Sequence, residues 1–221
     1  MAIATVVGTG RAGADPLPGF MLAGQSARIL LYSRPNRDVD VTRLERSLSR
    51  VEQLLGQRFA GRLVYYHYDC REEVAFATGH YADGVTFADL AEVHAVDRVT
   101  EHELVHAVAW QLGNPGSFFQ EGLAVALGDR GKWWGKDVNK AARKVAVETG
   151  LSALIARFNA AEPGDGYFVA GSFVSWLVEH HGIARVGEFF RSCDGANTGA
   201  AFARVFGQTV DEAGTSWRAT L

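Results

Sequence analysis

One short string in the sequence has an evident capacity for chemistry: His102-Glu103-Leu104-Val105-His106. On a helix, positions 102 and 106 stand one turn apart on the same face, about 6 Å apart along the axis, so both imidazoles can reach one metal ion. Zinc is bound by histidine nitrogen at about 2.0 to 2.1 Å, and Glu103 would project beside the pair, next to the coordination position left for water. A catalytic zinc wants a third protein ligand, and Glu121, in Phe118-Phe119-Gln120-Glu121-Gly122-Leu123-Ala124, is a lone carboxylate in another apolar stretch. The turn Gly113-Asn114-Pro115-Gly116 lets this second helix fold back against the first. The competing reading makes His102 and His106 hydrogen-bonded core histidines, closes a capping box between Thr100 and Glu103, and leaves Glu121 as a glutamate favoured by the helix dipole. The setting favours the metal. Val99, Leu104, Val105, Ala107, Val108, Ala109, Trp110 and Leu112 make the first helix apolar almost all round, so its ionisable groups are costly unless they are paired or bound to a cation.

The elements that must position these residues follow from periodicity. An irregular, Gly/Ala/Pro-rich lead-in over residues 1–26, with room for one short strand, precedes a strand over 27–33 that stops at Arg34-Pro35-Asn36. Val41, Leu44, Leu48, Val51 and Leu55 recur at spacings of three and four, which predicts an amphipathic helix capped by Asp40 or Thr42 and ended by Gly56. A second strand follows over 62–68, and 84–96 reads as two short strands around an Ala-Asp turn. Helices are expected over 99–112 and 118–127. After Trp134 the pattern is helical throughout: 138–148, 152–158, 167–180, 183–191, 196–206 and 210–220. Strands first and helices afterwards predict an α+β fold, read as a single domain over 27–221 that is strand-rich over 27–97 and helical over 98–221.

Composition excludes several alternatives. In 221 residues, 48% are hydrophobic and 21% charged, the balance of a chain with a sizeable core rather than a disordered one. No stretch approaches the roughly 18 apolar residues of a membrane span. The formal charge of −3 offers no basic surplus for phosphates, so nucleic acid is not expected as a partner and a peptide, protein or small-molecule substrate is. Cys70 and Cys193 are too few for a disulfide framework, and stand as either one bridge or two thiols. Met1-Ala2-Ile3-Ala4 carries no charged or long apolar targeting segment, so the compartment is not legible there.

At this point the residues carry a resemblance. The run Val99-Thr100-Glu101-His102-Glu103-Leu104-Val105-His106-Ala107-Val108, followed by Glu121-Gly122-Leu123-Ala124, resembles the active-site helix pair of gluzincin zinc metallopeptidases, the thermolysin and aminopeptidase superfamily, and more narrowly the compact bacterial peptidase-MA-like domains. A looser likeness runs through Tyr167 to Leu177, His181-Gly182, and Phe206-Gly207-Gln208-Thr209 leading to Trp217, so that it covers roughly residues 60 to 220. The resemblance implies a zincin-like fold: a small N-terminal mixed sheet, the active-site helix pair, then a mostly helical C-terminal part. It implies one zinc per chain on His102, His106 and Glu121, with Glu103 as the general base of peptide-bond hydrolysis. It also places a tyrosine or histidine donor near the developing oxyanion, for which Tyr167 is the foremost residue, with His180 and His181 as rivals. A peptide substrate would lie extended along an edge strand, the position occupied by the 84–96 segment, where His94 is expected as a strand residue. Trp133-Trp134 reads as a wall of the substrate cleft or as core. Relatives of this kind favour a placement outside the cytoplasm. Two other functions fit the same residues: a zincin-fold binding or scaffold module without turnover, and a zinc hydrolase of a non-peptide amide.

Overall fold

The protein is described here from a computed structural model, over residues 16–145, 150–160 and 164–221. It is α+β, and its described residues form two compact units, one made of the residues up to Gln53 with Arg58–Gln111, the other of Leu54–Gln57 with Leu112–Leu221.

The first unit is built on a five-stranded mixed sheet in the order β1-β2-β3-β5-β4. Its strands are β1 (Met21–Gln25), β2 (Ile29–Ser33), β3 (Leu63–His67), β4 (Gly84–Phe87) and β5 (Glu92–Ala95), and its helices α1 (Val41–Leu55), α2 (Arg71–Thr78) and α3 (Glu101–Trp110). The three central strands β2, β3 and β5 are parallel, and the outer two run antiparallel to their neighbours. The apolar stripe of α1 behaves as its spacing requires: Leu44, Leu48, Val51 and Leu55 are buried. Strand alternation then sorts the sheet. Ile29, Leu31, Leu63, Tyr65, Val93 and Ala95 share one buried face, in register with Thr86 and Gly84 of β4. Tyr66, Tyr68 and Val85 belong with Phe20 and Val74 in a second apolar cluster.

The second unit is helical. It contains α4 (Ser117–Leu123), continued by a π-helical turn (Ala124–Gly128), the short strands β6 (Lys132–Trp133) and β7 (Lys136–Asp137), and the helices α5 (Val138–Ala142), α6 (Leu151–Asn159), α7 (Gly166–His181), α8 (Ile183–Arg191), α9 (Thr198–Phe206) and α10 (Val210–Arg218). The apolar α7 runs through its core, where Phe173 meets Phe118, Phe119, Phe202 and Trp217. Gly122 brings α4 close to α7: a Cβ there would stand 2.6 Å from the backbone oxygen of Ala170.

Several elements depart from expectation. Helix α2 lies where no element was read, because only Val74 of its residues is buried and no apolar stripe announces it. The hairpin β6–β7 interrupts the expected helical region. Its two-residue loop, Trp134-Gly135, has φ of 49° and 72°, so a tryptophan stands where the positive φ favours Asn or Gly. The expected helix over 138–148 corresponds to α5, and residues 146–148 lie outside the described residues, as do 1–15 of the expected lead-in. The compact units part after α3, which keeps that helix with the sheet instead of with the helical residues that follow.

Candidate metal centre

Helix α3 begins at Thr100, whose hydroxyl accepts from the Glu103 amide at 3.5 Å. Its far end is tied down by the Gln111 side chain, which accepts from Ala60 N at 2.7 Å and donates to Ala60 O at 2.8 Å. Residues 102 to 109 are all buried, so the rigid helix presents His102 and His106 from within the protein and not from its surface. Their Nε2 atoms stand 3.2 Å apart. With metal–nitrogen bonds of about 2.05 Å, the edge of a tetrahedron is about 3.3 Å, so the two nitrogens are spaced as two ligands of one ion.

Glu103 turns to the sheet. The Thr86 hydroxyl, on the same face of β4 as Gly84, donates to Glu103 Oε2 at 2.6 Å, with the Glu103 backbone oxygen 3.1 Å away. Gly84 makes this approach possible, since a Cβ at that position would lie 2.6 Å from Glu103 Oε1. The capping box anticipated as the competing reading is therefore half formed. Thr100 caps the helix, but the carboxylate is held by Thr86. Tyr65, fully buried on the same sheet face, donates to Asp97 O at 2.8 Å; burial first and the neighbouring Glu103 charge second hold its phenol protonated, well above the usual tyrosine range.

Glu121 sits on α4, whose start is fixed by three polar contacts. Gly116 N donates to Asn114 Oδ1 at 3.1 Å, Phe118 N to Asn159 Oδ1 at 2.9 Å, and Gln120 Nε2 to Gly113 O at 3.0 Å. The π-helical turn follows directly, with Val125 buried in it one turn beyond Glu121. His102 and His106 lie on α3 of the first unit and Glu121 on α4 of the second, and each is a buried side chain with a ligand atom to offer a metal ion. None of the three, nor Glu103, is more than 5% exposed. Two imidazoles and a carboxylate are a donor set suited to a divalent transition metal, whose charge would offset the cost of burying the carboxylates.

The other singled-out residues fall elsewhere. Tyr167 is buried on α7, its ring stacked on Trp133 at 4.5 Å and edge-on to Phe158 at 5.1 Å. His180 and His181 end the same helix, about 20 Å further along its axis; His180 Nδ1 lies 2.9 Å from Trp176 O, and the His181 ring packs on Phe206. His94 is a strand residue, on the face of β5 opposite Val93, with Nδ1 2.8 Å from the Tyr68 hydroxyl and its ring stacked on Tyr66. Of the tryptophan pair, Trp133 is core and Trp134 is exposed. Cys70 and Cys193 are both free thiols, and burial pushes the Cys193 thiol up to about 11. Thr86 and Gly84 were missed in the sequence. Their only signal was alternate placement on a short strand.

Compared with known proteins, the chain matches no family model and no curated protein.

Proposed function

We propose that the protein is a zinc-dependent metallopeptidase of the gluzincin type, with His102, His106 and Glu121 as zinc ligands and Glu103 as general base. The observation that carries the reading is the pairing of two histidine nitrogens at ligand spacing with a neighbouring carboxylate that is separately held and oriented. A structural histidine pair has no need of that carboxylate. Bound to these ligands, zinc would supply Lewis-acid polarisation of a water and of the scissile carbonyl.

The chain's own residues supply the rest. With Oε2 occupied by the Thr86 hydroxyl, Glu103 has Oε1, the oxygen over Gly84, for taking a proton from the attacking water and passing it to the leaving amine. Strand β4 is an edge of the sheet, hydrogen-bonded to β5 on one side. An extended peptide adding to its other side would bring a main-chain carbonyl past Gly84, where the absence of a side chain leaves the approach to Glu103 open. This favours a peptide over a non-peptide amide. The remaining role, donor to the oxyanion, is assigned by resemblance to Tyr167. Tyr167→Phe keeps the ring in its stack, so a fall in kcat at unchanged zinc content gives the hydroxyl to the chemistry, and an unchanged kcat gives the residue to packing.

The deciding experiment is metal content by mass spectrometry on wild type, His106→Ala and Glu121→Ala, followed by cleavage of a peptide library. About one zinc per wild-type chain, lost in both variants, with cleavage abolished in a zinc-loaded Glu103→Gln protein, is the expected result. No zinc in the wild type after reconstitution overturns the reading, and zinc without cleavage reduces it to a binding module.

A further inference from the structure

Of the 22 lysines and arginines in the chain only four are lysines, and these are Lys132, Lys136, Lys140 and Lys144. All four fall within thirteen residues at a constant spacing of four, and all four are exposed. Residues 129–145 hold six basic side chains and two acidic ones, a local surplus of four positive charges in a chain of net charge −3. Lys136, Lys140 and Lys144 line one groove of about 620 Å³ together with Phe168.

Beside this groove stands Trp134, 65% exposed at the tip of the β6–β7 hairpin. Its φ of 49° is unfavourable for an ordinary L-residue, and the turn would close more easily with Asn. The ring is rigidly mounted all the same: it stacks on Trp133 at 5.9 Å, which stacks in turn on Tyr167 of α7. A large aromatic ring is thus displayed to solvent, from a strained position, in the middle of the chain's only lysines.

We propose that this face docks on an anionic phospholipid surface, with Trp134 entering the headgroup region and Lys132, Lys136, Lys140 and Lys144 engaging the lipid phosphates. Indole is the side chain best suited to a layer that is apolar on one side and wet on the other. Lysines carry strongly hydrated point charges on long apolar stems, and can keep their ammonium groups among phosphates while the stems cover the ring's surroundings. Attraction of this kind is summed over several cations and needs no fork geometry, which fits a patch that gathers all four lysines of the chain, with Arg130 and Arg143 in the same segment. The inference stands independently of the metal site.

The test is sedimentation of the full chain with vesicles of mixed phosphatidylglycerol and phosphatidylcholine, beside vesicles of phosphatidylcholine alone. Wild type is expected on the anionic vesicles and not on the neutral ones, with binding lost as sodium chloride is raised. Each lysine is worth about fivefold in partitioning, so changing all four to Gln lowers it by nearly three orders of magnitude. Trp134→Gly, which also relieves the positive φ, lowers it about tenfold while the melting temperature holds or rises. The proposal is overturned if wild type ignores anionic vesicles at low salt, if the lysine variant binds as well as wild type, or if glycerol phosphate or a short DNA duplex competes the protein off the vesicles at charge-equivalent concentration.

Discussion

The hydroxyl of Thr86 on the edge strand β4 donates to Oε2 of Glu103 on α3 across 2.6 Å, inside the protein. One small polar side chain on the sheet thus fixes the rotamer of the carboxylate that lies between the two histidines in sequence. Replacing Thr86 by Val keeps the shape and removes the donor. The expected outcome is a fall in kcat of about ten- to a hundredfold at unchanged zinc content, as for other residues that orient groups around a metal. Stability falls by roughly 1 to 3 kcal/mol, because a buried carboxylate loses its hydrogen bond. Steady-state kinetics with metal analysis and a denaturant titration check both halves; unchanged kcat would show that Glu103 needs no such support.

Gly84 gives a second, sterically distinct handle on the same carboxylate. A Cβ at this position would stand 2.6 Å from Oε1, 2.7 Å from Cγ and 2.9 Å from Cδ of Glu103. The far end of a side chain can move where backbone cannot, so Gly84→Ala is expected to displace Glu103 more than to unfold the sheet. Activity should drop by about a hundredfold, the order attached to misplacing a reacting group by about 1 Å. The melting temperature should shift by only a few degrees. A kcat within twofold of wild type would mean that the carboxylate is not the base.

The sequence made the helix pair legible because both the metal spacing and the apolar periodicity are local. Val99 to Leu112 announces a buried helix, and His102 and His106 can share an ion only if that helix forms. The partners of Glu103 were not legible, since Thr86 and Gly84 meet it only once β4 is paired to β5 and laid against α3. Helix α2 escaped for a different reason: Arg71-Glu72-Glu73 opens it, Phe76 is exposed on it, and no period of 3.6 emerges. The Trp134-Gly135 turn escaped because tryptophan is the opposite of what a positive-φ turn position suggests.

Two helical glycines should respond to alanine with opposite signs. Gly122 on α4 lies so close to α7 that a methyl group would stand 2.6 Å from both the Ala170 carbonyl oxygen and Val174 Cγ2, and the carbonyl belongs to a helix that cannot yield locally. Gly122→Ala is expected to cost about 1 to 3 kcal/mol. Gly199, exposed near the start of α9, has nothing within 4 Å of a Cβ, so Gly199→Ala should stabilise by about 0.5 to 1 kcal/mol through lost freedom in the unfolded chain. Urea unfolding of the two variants beside wild type tests the pair, and equal shifts would show that the close approach of α4 to α7 is not rigid.

His67 should make the protein sensitive to mild acid. It ends β3, is buried, and its Nδ1 has no hydrogen-bond partner among the described residues. Burial is the chief cause that lowers its pKa below the ordinary histidine value, with Arg98 and Arg37 adding to the effect and Asp69 opposing it. The unfolded chain therefore takes up this proton more readily than the folded one. His67 is without effect on stability above about pH 6.5, and destabilises progressively as the pH falls from there through its lower folded value. In zinc-free protein, wild type is expected to lose more melting temperature between pH 7.5 and 5.5 than His67→Gln. The comparison is of slopes, so a general loss of stability in the variant does not disturb it, and parallel curves would show that His67 is protonated as easily in the fold as outside it.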